Sequence, residues 1–154
     1  MTLRENLTFW GRLYGVRGSL LKQRIQQSSD FVGLAEVLDQ TIATYSGGMK
    51  RRANLAAGIL HQPELLFLDE PTVGIDAQSR HQILDNLRQL NRDGMTMVYT
   101  THYMEEVHQL CSRVIIVDAG EIVTQGDVAQ LLSQYECTHL EDLFLKLTGN
   151  QLRD

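Results

Sequence analysis

Four consecutive large apolar residues, Leu65-Leu66-Phe67-Leu68, run without a polar break into Asp69-Glu70-Pro71. A run this short and unalternating reads as a strand covered on both faces of a parallel sheet, because a half-solvated strand would alternate apolar with polar. An amphipathic stretch follows, Ala77–Arg92, with Ile83, Leu84, Leu87 and Leu90 on its inner side and Gly94 at its end. Met95–Thr100 reads as a second strand and Met104–Leu110 as a short helix. Strand, helix, strand, helix is the order of an α/β layer with a mostly parallel sheet. The 154 residues supply one such domain and barely two.

The flanks are more helical. Thr2 followed by Glu5 predicts a capping box, with Leu7, Phe9, Trp10 and Leu13 as the apolar side of the helix behind it. Gly15 and Gly18 interrupt that pattern; Leu20, Leu21 and Ile25 suit a second, weaker helix that closes at Gly33, and Gln40–Tyr45 is loop-like. Ser46 can cap a helix opening at Gly47-Gly48, with Met49, Ala53, Ala56, Ala57 and Leu60 on one buried, small-residue face. Lys50, Arg51 and Arg52 fall on the opposite, wetter side. Past the α/β layer, Arg113–Val117 and Glu121–Thr124 flank Asp118-Ala119-Gly120 as a hairpin, and Asp127 caps another helix. Thr138 and Glu141 suggest a capping box before Leu143–Leu147, which stops at Gly149. The organisation is therefore a helical portion over 1–62, an α/β core over 63–126 and C-terminal helices over 127–154, without an evident linker.

Composition excludes several classes. Fourteen Lys and Arg against nineteen Asp and Glu give a net charge of −5, so no nucleic-acid partner is expected. No apolar run approaches the ~18 residues that span a bilayer, and Met1–Glu5 lacks the apolar centre of a signal peptide. Cys111 and Cys137 stand far apart with no C-x-x-C, which suits free thiols in a reducing cytoplasm better than a disulfide or zinc site. Three adjacent cations at Lys50–Arg52 are too few for a lipid or nucleic-acid stripe.

Four short stretches carry the chemistry: Tyr45–Met49, Leu65–Pro71, Val73–Asp76 and Thr100-Thr101-His102. Taken singly, each has a structural explanation: a helix start, a strand end, a helix cap, a histidine after a strand. Together they are coherent. A helix opening with Ser46-Gly47-Gly48 offers unpaired N–H groups, a positive dipole end and no side chains to block a phosphate. Asp69 at the carboxyl end of a strand lies where open α/β sheets bind ligands and can hold Mg²⁺ directly or through water. Glu70 can polarise a water for attack on a phosphoryl group, and His102, at the end of the next strand, can hydrogen-bond that phosphate or water. Phosphoryl transfer needs such positioning and charge neutralisation more than a covalent nucleophile.

In this order the stretches resemble the nucleotide-binding domain of ATP-binding cassette (ABC) proteins. The resemblance implies a P-loop NTPase-like α/β fold, with a mostly parallel sheet, helices on both faces and an α-helical subdomain that fits the residues before Ser46. It makes Ser46-Gly47-Gly48 the signature motif and Leu65–Glu70 the Walker B strand, with Glu70 as catalytic base and Asp69 toward Mg²⁺. Val73-Gly74-Ile75-Asp76 becomes the D-loop, with Asp76 coupling two sites across a domain dimer, and His102 the switch histidine that senses the γ-phosphate. Ser46, Gly47 and Gly48 would contact ATP held by the partner domain. Tyr45–Arg52, Thr100–Glu106 and Leu140–Asp154 look like the ATPases of drug and lipo-oligosaccharide exporters, which imply a transmembrane permease partner and a place at the inner face of the cell membrane. Ala77 stands where the family usually has Pro.

A P-loop needs G-x-x-x-x-G-K-[ST], and no glycine in these 154 residues precedes a lysine. The Q-loop glutamine and the adenine-stacking aromatic of the family would both fall before Thr2. The chain thus looks like the C-terminal two-thirds of a domain whose first strands lie elsewhere or are lost. Three expectations follow: exposed apolar groups beside Leu65–Leu68, marginal stability or association, and no ATP hydrolysis by the chain alone. The alternative to an exporter ATPase is a non-catalytic regulatory or remnant half-domain that pairs with a complete ATPase. A soluble ABC protein acting on DNA or ribosomes would carry coiled coils or a second cassette, and neither is present.

Overall fold

The computed structural model describes residues 1–149. They fold as two compact units, the first Met1–Tyr99 and the second beginning at Thr100. Residues 150–154, the end of the tail read above as exporter-like, lie outside the described residues.

The first unit opens with three helices, α1 (Leu3–Leu13), α2 (Gly18–Phe31) and α3 (Gly47–Ile59). The capping box forms as expected: Thr2 Oγ1 accepts from Glu5 N at 3.2 Å and Glu5 Oε2 accepts from Thr2 N at 2.8 Å. The inner face of α1 is not the expected one. Leu3, Leu7 and Gly11 are buried, at i, i+4 and i+8, while Phe9, Trp10 and Leu13 are exposed. Gly11 sets this phase: a Cβ there would overlap Leu21 and lie 2.9 Å from Leu60 Cδ2, so α1 meets α2 and α3 backbone-close along the glycine side. The buried face of α3 is also wider than expected, with Gly48, Leu55 and Ile59 joining Ala53, Ala56, Ala57 and Leu60, and Met49 only half-buried. Of the three adjacent cations only Lys50 is exposed. Arg51 and Arg52 are half-buried, and Arg52 Nη1 donates to Val32 O at 3.0 Å, tying α3 to the end of α2.

Strand β1 (Leu65–Asp69) leads through α4 (Ala77–Arg92) to β2 (Thr96–Thr100), and the two strands pair in a parallel two-stranded sheet. Helix α4 has the bounds that its cap and periodicity predict, with Ile83, Leu84 and Leu87 buried, Leu90 half-buried and Gly94 at φ +94° past its end. Coverage of β1 on both faces is not observed. Only Leu66 is buried, with Gly58 of α3 against it, whereas Leu65 is 44% and Phe67 70% exposed. Helices cover the Leu66 side, and nothing among the described residues buries the Phe67 side. Val98 on β2 is exposed to the same degree as Leu65, 44%.

The second unit holds α5 (Met104–Leu110), the hairpin β3 (Arg113–Asp118) and β4 (Glu121–Asp127), then α6 (Val128–Gln134) and α7 (Leu140–Thr148). The hairpin is antiparallel, pairing Asp118 with Glu121 across Ala119-Gly120, both at positive φ as a tight hairpin turn of the right twist requires. A register shift falls between Ile116 and Val117. Val107, Ile116, Leu131, Leu140 and Leu143 form its core, with Cys111 and Cys137 packed against them as free thiols. Asp127 caps α6 as expected, accepting from Ala129 N at 2.9 Å and Gln130 N at 3.2 Å. The second capping box does not form. His139 is the N-cap of α7 without a side-chain bond, and the Thr138 hydroxyl reaches Asp142 at 3.5 Å instead. Among the described residues no helix is long and apolar enough to cross a membrane.

The bare Phe67 side of β1 predicts concentration-dependent self-association. Sedimentation should show oligomers that Phe67→Ser reduces without lowering the melting temperature, since a 70% exposed ring contributes little to packing within the chain. A wild-type chain that stays monomeric at high concentration contradicts this.

Candidate functional site

The site begins where two helix N-termini meet. Tyr45, 4% exposed, anchors the approach: its hydroxyl donates to Val37 O at 2.7 Å, and burial, helped by the charge of Asp39, pushes its pKa up. The next residue, Ser46, is the N-cap of α3, its Oγ accepting from Met49 N at 3.2 Å. A hydroxyl that accepts in this way still has its own proton to donate. Gly47 is exposed, so the start of α3 presents open N–H groups as phosphate binding requires.

Gly48 plays a different part. It is buried, and a Cβ on it would overlap Ser79 Oγ, lie 2.5 Å from Ser79 Cβ and 3.3 Å from Asp76 Oδ2. The second glycine of the motif is therefore where α3 touches the first turn of α4. Asp76 caps that turn, accepting from Ser79 N at 2.9 Å, and Gly47 sits beside Gly74, whose carbonyl oxygen would be 3.8 Å from a Cβ there. The Ser79 backbone N–H first, then its side chain, hold the Asp76 carboxyl below its ordinary value. Ser46, Gly47, Gly48 and Asp76, separated by thirty positions of sequence, are thus brought into one cluster.

Asp69 is exposed at the carboxyl end of β1, and Glu70 is half-buried just beyond it. Glu70 has φ +43°, in the left-handed region that costs a non-glycine residue on the order of 1–3 kcal/mol. Its carbonyl accepts from Val73 N at 3.3 Å, closing the turn that starts the Val73–Asp76 loop. Sequence reasoning carries no signal for this conformation. The same end of β1 borders a cleft lined by Trp10, Tyr14, Arg51, Asn54, Asp69 and Pro71. The donor set fits Mg²⁺: Asp69 offers a hard carboxylate, and no three His, Cys, Asp or Glu converge among the described residues, so further ligands would come from phosphate and water.

His102 belongs to the second unit. It is half-buried, its imidazole 4.2 Å from the Tyr103 ring at 42°. Sequence reading passed over two residues that shape these places, Ser79 and Glu106. Both are polar and buried; Ser79 lies outside the motif stretches, and Glu106 ends the Thr100–Glu106 stretch without a role assigned to it there.

Residues 1–73 match the family model described as ABC transporter. The chain is 51% identical over 134 residues to the linearmycin resistance ATP-binding protein LnrL of Bacillus subtilis (strain 168), covering 87% of this chain and 43% of that protein. It is 41% identical to the daunorubicin/doxorubicin resistance ATP-binding protein DrrA of Streptomyces peucetius, over 86% of this chain and 40% of that one. It is 36% identical to the Nod factor export ATP-binding protein I of Ralstonia nicotianae, over 86% and 41%. A solved structure titled as the ATP binding subunit of an ABC transporter superposes with a TM-score of 0.83 at 23% identity, over 96% of this chain and 62% of that one, a likeness of fold. The fold is that of an ABC-type α/β domain, and the chain is similar to ATP-binding proteins of the ABC transporter family. The curated relatives that it matches here are ATP-binding proteins of the drug-resistance and Nod-factor-export type. It spans less than half the length of these three curated relatives.

Two outcomes follow from the α3–α4 contact. Gly48→Ala should lower stability by about 1–3 kcal/mol through overpacking, and Gly48→Ala with Ser79→Gly should cost at least ~1 kcal/mol less than the summed single variants in denaturant unfolding. Asp76, with its pKa lowered on folding, stabilises fully above its unfolded value, and that contribution is lost as pH falls through the lower folded value. Asp76→Asn keeps the cap and removes the titration, so the acid limb of melting temperature against pH should flatten below pH ~4.

Proposed function

We propose that this chain is the signature-bearing part of an ABC exporter ATPase, acting on ATP held between two such domains and coupled to a transmembrane permease. One observation carries the reading: the start of α3 and the Asp76 loop share one exposed cluster, with Gly47 beside Gly74 and Gly48 against Asp76 and Ser79. A surface of this kind is suited to receiving a γ-phosphate from outside the chain, since Ser46, Gly47, Gly74 and Asp76 are all exposed at the start of α3 and α4. Ser46 and Gly47 contact that phosphate, Gly48 holds their helix in place, and Asp76 links the site to the partner's. Asp69 holds Mg²⁺, which draws charge from the phosphates when bound. Glu70 orients the attacking water from the turn that its left-handed backbone makes at the end of β1. His102 senses the γ-phosphate. The domain stands at the inner face of the membrane through its permease, as the exporter-type names of its relatives support.

Phosphate release with Mg-ATP tests the reading. The chain alone should show background only, because no glycine in it precedes a lysine. With a complete ABC ATPase of the same branch whose own signature serine is replaced by arginine, adding the chain should restore turnover, and Ser46→Arg in the chain should prevent it. Glu70→Gln in both partners should lower the restored rate by roughly 10²–10⁴-fold. Turnover by the chain alone that survives Glu70→Gln overturns the assignment. Binding to the partner without restored turnover would favour the regulatory half-domain.

A further inference from the structure

The exposed face of α1 and the Phe67 side of β1 are apolar. Glu106 is different, because it is a carboxylate at 2% exposure in a unit whose other fully buried side chains are apolar. Taking a carboxylate out of water costs several kcal/mol unless hydrogen bonds replace the solvent. Two of its bonds frame one short loop. Glu106 Oε2 accepts from the Thr101 hydroxyl at 2.7 Å, and the same Thr101 oxygen accepts from Tyr103 N at 3.0 Å. The Glu106 amide in turn donates to Tyr103 O at 3.0 Å.

The residue enclosed by these bonds is His102. Its neighbour on one side is held through the Thr101 hydroxyl, its neighbour on the other through both N–H and C=O, and the Tyr103 ring lies against the imidazole. Glu105, one position earlier, is exposed and does none of this. A leucine at 106 would retain side-chain volume but could accept no bond from the Thr101 hydroxyl.

We infer that Glu106 is a positioning residue for His102, acting through the Thr101 hydroxyl to fix the Thr101–Tyr103 loop that presents the imidazole. The inference rests on the proposed role of His102, and it extends that role to a residue that acts through the Thr101–Tyr103 loop rather than on the nucleotide.

The test follows the His102 imidazole and the Tyr103 amide by NMR in the 154-residue chain, with His102→Gln assigning the imidazole signals among the five histidines. Glu106→Gln retains an acceptor and should leave both signals in place. Glu106→Leu retains volume without an acceptor and should shift or broaden the His102 signals and speed Tyr103 amide exchange by about five- to tenfold, as expected for the loss of one hydrogen bond. Thr101→Ser should behave as wild type and Thr101→Val as Glu106→Leu, while His61 and His139 serve as unmoved references. If Glu106→Leu does not fold, Thr101→Val decides. Unchanged His102 signals and Tyr103 exchange in a folded Glu106→Leu or Thr101→Val chain overturn the inference. No step of this test uses ATP, so a failed turnover assay would refute the function and leave the loop result standing.

Discussion

The contact on which the candidate site depends is the meeting of two helix starts. Gly48 brings α3 against Ser79 with no room for a methyl group, and Asp76 caps α4 at the same point. Each helix start needs its own cap for its first N–H groups, supplied by Ser46 on one and Asp76 on the other. Because both caps sit beside the shared contact, the first turn of α3 and the loop after β1 cannot shift independently without opening a tightly packed gap. The chemistry of Ser46 and Gly47 is therefore held from below by a residue that faces away from it.

The strained turn at Glu70 belongs to the same construction. The chain leaves β1 through a left-handed residue, runs over the buried Thr72 and arrives at Asp76 in the extended conformation that a cap needs. In this way Asp69, Glu70 and Asp76 occupy successive corners of one short loop. The energy that holds Glu70 in its unfavourable conformation comes from the packing on either side, β1 through Leu66 and α4 through Ile83 and Leu87.

Much of this was legible in the sequence where local rules act alone. Helices α4 and α5 have the bounds that caps and periodicity predict, and Thr2, Ser46 and Asp127 cap as their spacing implies. The failures occur where a neighbour decides. The inner face of α1 was misassigned because a glycine, not an aromatic residue, sets the approach to Leu21 and Leu60. Leu65 and Phe67 resemble core residues in sequence, and exposure depends on what lies beside the strand. Thr138 and Glu141 have the spacing of a capping box, yet α7 starts one residue later than that pattern assumes. Of the site, the motif residues could be found by order and type. The parts of Ser79 and Glu106 could not, since a serine inside a helix has no local mark and nothing in the Thr100–Glu106 stretch tells Glu106 from Glu105.

The left-handed backbone at Glu70 also limits how this position can vary. Asparagine, aspartate and glycine reach that conformation at lower cost, whereas a β-branched residue would have to unwind the turn. Selection at this position thus acts on two separable properties, the shape of the main chain and the charge at the end of the side chain. A lineage that lost the chemistry while keeping the fold would be expected to drift toward the residues that relax the turn, so the identity found there in any descendant records which of the two was still in use.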